Sequence, residues 1–296
     1  MTATPEMVMD AKDIVGESLV YDDRQNALVW VDIGGKRIHR LWLATSRHEI
    51  WPTPDFVTCI GLRQDGGAIV GLTQRIVLWD FGGSFQTFAF PEPDLPGNRL
   101  NEGRVAPDGS FWVGTMQNNL NEDGSPREMD RACGAIYRIA SDGGVQQLTP
   151  REYGISNTMA WTSDGRFLFA DTVKNEIYGF DLRAGKLANR RLFAQPLARG
   201  LPDGSAMDEV GCLWNCRVVG GSGIACFRPD GVLERIVDVP CSWPTSCTFG
   251  GPELATLYVT SARFTMPPRH LAENPWEGGL FSLDVSRRGR PENRFG

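Results

Sequence analysis

Four polar side chains recur at nearly the same distance before short, aromatic-rich strand segments. Glu17, Asn101, Asn157 and Asp203 lie 11 to 13 positions before the anchor residue of such a segment. Carboxylate and amide oxygens are the ligands that hard divalent cations such as Ca²⁺, Mg²⁺ and Mn²⁺ prefer. If the fold brings equivalent positions of the segments together, these residue types predict a metal site.

Asp203 must be distinguished from ordinary turn aspartates, because it stands in a Pro-Asp-Gly within the stretch GLPDGSAMDEVGCLW at 200–214. In other segments the turn aspartate lies only four or five positions before the anchor, as Asp108 and Asp164 do. In this stretch the turn signal near that distance is DEVG at 208–211. Asp203 is therefore assigned to the preceding strand, and Asp208 is interpreted as a structural acid of the turn.

The segments form a sixfold repeat that must position these side chains. Each copy has a turn rich in Asp, Asn and Gly, then a strand with alternating apolar residues, and in most copies a second strand. The anchors are spaced by 40, 42, 57, 45 and 44 residues, which is the period of propeller blades. They are Trp30, Val70, Trp112, Phe169, Trp214 and Tyr258.

This repeat predicts an all-β, six-bladed β-propeller with four-stranded blades around a central channel. Residues 1–296 are expected to form one domain, in which the residues before about position 20 supply a strand that closes the ring. The alternative architecture is a different all-β barrel. In a propeller the innermost strand of each blade faces the channel, so the polar residues would meet at one end of it. Thr58 or Cys59 and Ser246 hold the equivalent position in the other two blades.

Two carboxylates that meet in a channel need a counter-charge, or they will be protonated. Arg99, two positions before Asn101, is the nearest basic residue, and the simplest further partner is a bound cation. The predicted ligands are Glu17, Asn157 and Asp203, with Asn101 close by, around one divalent ion; Zn²⁺ and Fe²⁺ remain open beside Ca²⁺, Mg²⁺ and Mn²⁺. The alternative for each residue is a hydrogen bond to backbone in the channel. His39, His48 and His270 lie outside this position in the repeat.

Two stretches are longer than the repeat requires. Residues 118–132 are polar and rich in turn formers, and they are predicted to form a lid or binding loop. Residues 264–278 interrupt the sixth blade. The alternative is that both are plain surface loops.

Composition excludes several classes of protein. The formal charge is −6 and the basic residues are scattered, which argues against nucleic acid as a partner. No secretory signal and no apolar run of roughly 18 residues is present, so we expect a cytoplasmic protein without membrane contact. The seven cysteines include no C-x-x-C pair, which predicts mostly reduced core thiols. A monomer or weak dimer is expected.

At these positions the chain resembles the senescence-marker-protein/gluconolactonase family, which includes regucalcin and bacterial sugar lactonases. The matching stretches are GES at 16–18, VDI at 31–33, NRLNEGRVAPDGSFWVGTM at 98–116, ISN at 155–157, PDGSAMDEVGCLW at 202–214 and SCTFGGPELATLYVTSAR at 246–263. The resemblance implies a six-bladed propeller that hydrolyses sugar lactones with one divalent metal. It implies metal ligation by Glu17, Asn157 and Asp203, and substrate contacts from Arg99 and Asn101.

In the mechanism that this resemblance suggests, the metal polarises the lactone carbonyl and Asp203 is the general base. Arg99 would help to stabilise the oxyanion, and Arg99, Asn101 and Asn119 would orient the substrate hydroxyls. Two departures matter. Some relatives have a substrate-binding Glu where this chain has Asn119. The family commonly has Asn-Gly where this chain has Asn157-Thr158, which reduces backbone freedom.

Two other functions remain open at this point. Similar oxygen-ligated propellers could act as calcium-dependent organophosphate or aryl-ester hydrolases, and propellers also serve as non-catalytic scaffolds. A nucleophilic-serine mechanism is not indicated, because the chain has no G-x-S-x-G elbow.

Overall fold

The computed structural model describes residues 4–296 and consists almost entirely of antiparallel sheet. Twenty-four strands form six sheets of four strands each, as the repeat predicts. In five blades the four strands follow one another in sequence, from the channel outward. The strands of blades 1 to 3 are β2 (Gly16–Asp22), β3 (Ala27–Asp32), β4 (Arg37–Trp42), β5 (His48–Pro52), β6 (Val57–Leu62), β7 (Ala68–Leu72), β8 (Ile76–Trp79), β9 (Gln86–Ala89), β10 (Asn98–Val105), β11 (Phe111–Gln117), β12 (Ile136–Ile139) and β13 (Val145–Gln147). Those of blades 4 to 6 are β14 (Ser156–Trp161), β15 (Arg166–Asp171), β16 (Glu176–Arg183), β17 (Lys186–Ala194), β18 (Leu201–Met207), β19 (Leu213–Val218), β20 (Gly223–Phe227), β21 (Leu233–Asp238), β22 (Pro244–Gly250), β23 (Thr256–Ser261) and β24 (Leu280–Asp284), followed in space by β1 (Glu6–Met9).

The ring closes through the N-terminal strand. β1 pairs with β24 and becomes the outermost strand of blade 6, with Glu6 opposite Ser282 and Met7 opposite Phe281. The innermost strand of each blade contacts that of the next, and β22 contacts β2. The predicted six-bladed propeller and its closing strand are both confirmed.

The core lies between neighbouring blades, because each sheet presents apolar faces to the sheets on both sides. All six anchor residues lie on the second strand of a blade and are buried. Where the anchor is tryptophan, its indole N–H donates to a nearby side chain: Trp30 to Asp13, Trp112 to Ser110 and Trp214 to Asp208. These bonds satisfy the one polar group of each buried ring.

The two long connections both approach the end of the channel where the inner strands begin, which we call the mouth face. In the loop 118–132, Leu120 is buried in the apolar cluster that contains Phe56. Phe264, at the start of the second connection, packs against the same cluster. That second connection also contains the one helix of residues 4–296, α1 (Pro268–Glu273), which the sequence pattern did not indicate. No helix within residues 4–296 is long and apolar enough to span a membrane.

The opposite end, where each inner strand turns into the second strand, is the turn face. The C-terminal segment 288–296 runs across it from blades 5 and 6 to blades 1, 2 and 3. Gly289 N donates to Leu254 O, Phe295 N to Leu62 O, and Gly296 N to Gly109 O. The segment therefore covers the turn face, while the mouth face retains the starts of the inner strands.

Candidate active site

The predicted site residues other than Asn119 lie on inner strands, and a shared irregularity presents four of them to the channel. The pairing of each inner strand with the second strand of its blade shifts register once, at the equivalent position in all six blades. Glu17, Asn101, Asn157 and Asp203 lie at or beside these shifts. Because a β-bulge breaks the alternation of side chains, it can aim polar groups inward from a buried strand.

Arg99 fixes the orientation of the first of two amides. Its Nη1 donates to Asn101 Oδ1 at 2.7 Å and to Leu100 O at 2.8 Å, while its Nε and Nη2 both donate to Asn119 Oδ1, at 3.1 and 3.0 Å. A guanidinium can only donate, so the oxygens of both asparagines must face it. Asn119, on the loop 118–132, is thus a support for Arg99 in this structure.

The same chain of hydrogen bonds continues to Asn157. Since Asn101 Oδ1 accepts from Arg99, its Nδ2 donates, to Asn157 Oδ1 at 3.1 Å and to Ser156 O at 2.9 Å. Asn157 Nδ2 then donates to Thr172 Oγ1 at 2.8 Å, and the Thr172 hydroxyl donates to Pro202 O at 2.7 Å. This polarity presents the oxygen of Asn157, the atom that a hard cation prefers, beside Asn101. Thr172 was not among the predicted residues.

Glu17 and Asp203 are buried carboxyls that act on each other. Glu17 Oε2 accepts the backbone N–H of Ser18 at 3.0 Å, whereas Asp203 Oδ1 has no hydrogen-bond partner within residues 4–296. Burial, and next repulsion from Asp203, raises the pKa of Glu17 well above its ordinary value. Burial, and next the field of Glu102, raises the pKa of Asp203 in the same direction. Both shifts show that the nearby positive charges do not offset the burial of these carboxyls.

These residues fit a divalent cation. The set offers two carboxylates and one oriented amide oxygen, all hard donors, and it contains a buried carboxylate oxygen with no other partner. A cation there would supply the missing charge and remove the penalty of the unpaired Asp203 oxygen. Glu17, Asn157 and Asp203 remain the predicted ligands.

A second charged group lies further along the channel, and sequence reasoning missed it. Burial raises the pKa of Glu102 to about 7, although nearby Arg104 opposes the shift. Arg104 binds Glu292 of the C-terminal segment through two hydrogen bonds, 2.6 Å from Nη2 and 3.3 Å from Nε. These two residues are 188 positions apart, and no local pattern could have paired them.

Thr158, which follows Asn157, adopts a left-handed backbone conformation with φ of 49°. Such a conformation is unusual for a β-branched residue and costs on the order of 1–3 kcal/mol. Its hydroxyl bonds to the carbonyl of Asp203 and to Ser205 Oγ, and it accepts from Asn215 Nδ2. The reduced backbone freedom expected at Asn157-Thr158 is therefore accompanied by contacts that join blade 4 to the bulge of blade 5.

Asp208 has the structural role that its place in the turn predicts. Its Oδ1 accepts the backbone N–H groups of Val210 and Cys212, and its Oδ2 accepts the indole N–H of Trp214. Asp208, Cys212 and Cys226 also form a buried group with ligand atoms within 4.8 Å of one another. Because three donors already occupy Asp208, this cluster of the turn is a weaker candidate for a cation than the channel.

A cavity of about 630 Å³ is lined by Arg104, Met159, Trp161, Phe249 and Glu292, among others. None of the predicted site residues lines it. It opens at the turn face, beside the C-terminal segment. The candidate site is therefore the channel near the mouth face, which is identified by its carboxylate, amide and guanidinium groups and not by the size of a cavity.

The fold and this oxygen-lined channel place the molecule among six-bladed propellers with a polar channel site. A family model described as "SMP-30/Gluconolactonase/LRE-like region" matches residues 15–263. The chain belongs to this family.

Three relatives illustrate the match. The chain is 35% identical to the L-arabinolactonase of Azospirillum brasilense over 98% of this chain and 94% of that protein. It is 32% identical to the 6-deoxy-6-sulfogluconolactonase of Pseudomonas putida over 100% of this chain and 99% of that protein. Among solved structures, regucalcin from Agrobacterium tumefaciens, described as a calcium-binding protein, superposes with a TM-score of 0.91 at 27% identity, covering 100% of this chain and 98% of that one.

Proposed function

We propose that the protein is a metal-dependent lactonase that opens the ring ester of a sugar lactone to the free sugar acid. The observation that carries this proposal is the buried, unpartnered Oδ1 of Asp203 beside the Glu17 carboxyl. The lactonase names of the two bacterial relatives, which align over nearly all of this chain, support the choice of substrate class.

Glu17, Asn157 and Asp203 would hold the cation. When bound, a divalent cation supplies Lewis-acid polarisation of the ester carbonyl and makes a nearby water more acidic. The residues of the chain provide the rest: the hydrogen bonds from Arg99 and Asn101 to Thr172 keep the Asn157 oxygen in place.

Asp203 is the proposed general base. The carboxylate oxygen of Asp203 that does not hold the cation would take a proton from water as the water oxygen bonds to the carbonyl carbon. The bond between that carbon and the ring oxygen then breaks, and the same proton passes to the ring oxygen, which becomes a hydroxyl. Water is thereby divided between the new carboxyl and the new hydroxyl.

Arg99 is the proposed substrate-orienting and oxyanion-stabilising residue. Four of its five N–H groups have acceptors in Asn119, Asn101 and Leu100, which leaves one N–H of Nη2 to donate. Since the side chain is held from two sides, little rotamer freedom is lost when a substrate binds.

The test is to strip the protein of metal and restore Ca²⁺, Mg²⁺, Mn²⁺, Zn²⁺ and Fe²⁺ separately. Acid release would be followed from five- and six-membered sugar lactones, simple lactones and a phosphotriester. We expect activity on sugar lactones with at least one metal, and loss of about 10²-fold or more in Asp203→Asn at equal metal content. Inactivity on every lactone with every metal would refute the proposal, and near-normal turnover by a loaded Asp203→Asn would remove Asp203 as base.

A further inference from the structure

Two buried arginines close to the proposed metal site have no carboxylate partner of their own. Arg99 and Arg217 are 6% and 1% exposed. Within residues 4–296, neither forms an ion pair, although most arginines of this structure do. The acceptors around Arg217 are Asn215 Oδ1, Asn175 Oδ1 and two backbone carbonyls, and those around Arg99 are equally neutral.

The charges that offset these guanidiniums are the proposed metal ligands. Glu17 is the carboxylate that favours the charged form of Arg99, and Asp203 is the one that favours the charged form of Arg217. Burial lowers the pKa of each arginine only to about 10, so both are cationic at neutral pH.

When a divalent cation is bound, Glu17 and Asp203 no longer offset the two guanidiniums. The two positive charges of the ion neutralise Glu17 and Asp203, and the two guanidinium charges are left without compensation. The deeper group of Glu102, Arg104 and Glu292 carries at most one net negative charge, which is not enough to restore neutrality. In a buried channel that is shielded from bulk water, such an excess charge attracts an anion strongly.

Asn119 keeps this charge available at the point where a substrate would meet it. Its amide oxygen accepts hydrogen bonds from both Nε and Nη2 of Arg99, and so it positions the guanidinium without adding a negative charge. Arg99 also retains one N–H of Nη2 without an acceptor. Arg217 is too buried to touch a substrate and acts only through its field.

We propose that this site prefers sugar lactones that carry an additional oxyanionic group, such as a carboxylate or a sulfonate, and that Arg99 held by the neutral Asn119 is the specificity determinant. The inference rests on the proposed lactonase function and narrows its substrate class. Both groups place an oxyanion on the sugar, and lactones that bear one or the other distinguish a carboxylate from a sulfonate.

The kinetic test compares a neutral six-membered aldonolactone with matched lactones that bear a carboxylate or a sulfonate at the far end. We expect kcat/KM to be at least tenfold higher for one or both anionic lactones, and the preference to fall as ionic strength rises. Asn119→Asp places a carboxylate against the Arg99 guanidinium and should reduce the ratio of kcat/KM for anionic over neutral lactones about tenfold. Asn121→Asp, which adds the same charge at an exposed position of the same loop, is the matched control and should leave the ratio unchanged.

A binding measurement keeps the inference testable apart from turnover. Calorimetry would compare a sugar monocarboxylate with the corresponding dicarboxylate and sulfonate, on metal-loaded and metal-stripped protein. We expect the doubly anionic acids to bind at least tenfold more tightly than the monocarboxylate to the loaded protein. Equal binding of single and double anions, or a ratio that Asn119→Asp does not change, would overturn the specificity inference while lactonase activity stands. Inactivity on all lactones would instead refute the function beneath it.

Discussion

The hydroxyl of Thr158 is hydrogen-bonded to the backbone carbonyl of Asp203, so that the bulge beside one predicted metal ligand is tied to the bulge that carries another. Thr158 makes this contact from a left-handed conformation, with φ of 49°. The strained backbone conformation therefore lies directly beside the predicted metal ligand Asn157.

Loss of the Thr158 hydroxyl is expected to loosen the metal site. Thr158→Val keeps the β-branched shape, and therefore the backbone strain, but removes the bonds to Asp203 O and Ser205 Oγ. Because partners that orient ligands typically contribute 10- to 100-fold in metal affinity, we expect metal binding to weaken about tenfold. Calorimetric titration with the activating metal measures this. Thr158→Ser retains the hydroxyl and should bind within a factor of about two to three; equal affinity of the Val and Ser variants would contradict the assignment.

The fold was largely predictable from the sequence because its signal is local. The period of the anchors and the alternation of apolar residues each act within one blade, and they correctly place Trp30, Trp112 and Trp214 on second strands. The position of Glu17 and Asp203 in the repeat likewise assigns them to inner strands, although their roles as metal ligands stay predictions.

Features that depend on contacts between distant parts of the chain had no such signal. The polarity of the amides depends on Arg99 and Thr172, and the closure of the turn face depends on Glu292 meeting Arg104. The contacts of the left-handed Thr158 reach across to blade 5. Each requires the finished ring, and none follows from a propensity of the residues themselves.

Metal stabilisation is expected to grow with pH. In the metal-free protein, the raised pKa values of Glu17 and Asp203 mean that the folded state holds protons that the unfolded chain releases above about pH 4. Its stability therefore falls as pH rises from there towards the raised values. A cation displaces those protons, so the gain in Tm on adding metal should be larger at pH 8 than at pH 5.

Thermal melts of metal-stripped protein, with and without added cation, measure this gain at each pH. Calorimetry in two buffers of different ionisation enthalpy should also detect proton release on metal binding. The double variant Glu17→Gln, Asp203→Asn is the control and should show no metal-dependent gain. A gain in the wild type that is the same across pH 5 to 8 would contradict the argument.

The C-terminal segment is expected to stabilise the ring through Glu292. Glu292→Gln would leave the Arg104 guanidinium largely buried with a weaker partner, which we expect to cost about 2–3 kcal/mol of unfolding free energy. Denaturant unfolding of the metal-free protein measures it. Arg288→Gln, on the same segment, removes an ion pair with Glu253 between β22 and β23. Both of those side chains are more than half exposed, so the cost should stay below about 1 kcal/mol. Equal effects of the two substitutions would show that burial of the pair is unimportant.

Asp203 and Asp208 should respond in opposite ways to the same substitution, although they lie five positions apart. Asp208→Asn replaces an oxygen that accepts the Trp214 indole N–H, or one that accepts two backbone N–H groups, by an amide donor, and it should cost about 1–3 kcal/mol of unfolding free energy. Asp203→Asn removes a buried carboxyl whose raised pKa shows that its charge opposes folding at neutral pH, so the metal-free variant should be at least as stable as the wild type. Metal affinity should fall steeply in Asp203→Asn and change little in Asp208→Asn. Denaturant unfolding and metal titration of both variants test the two assignments together. If Asp203→Asn were destabilised and still bound metal, Asp203 would be a structural acid and not a metal ligand.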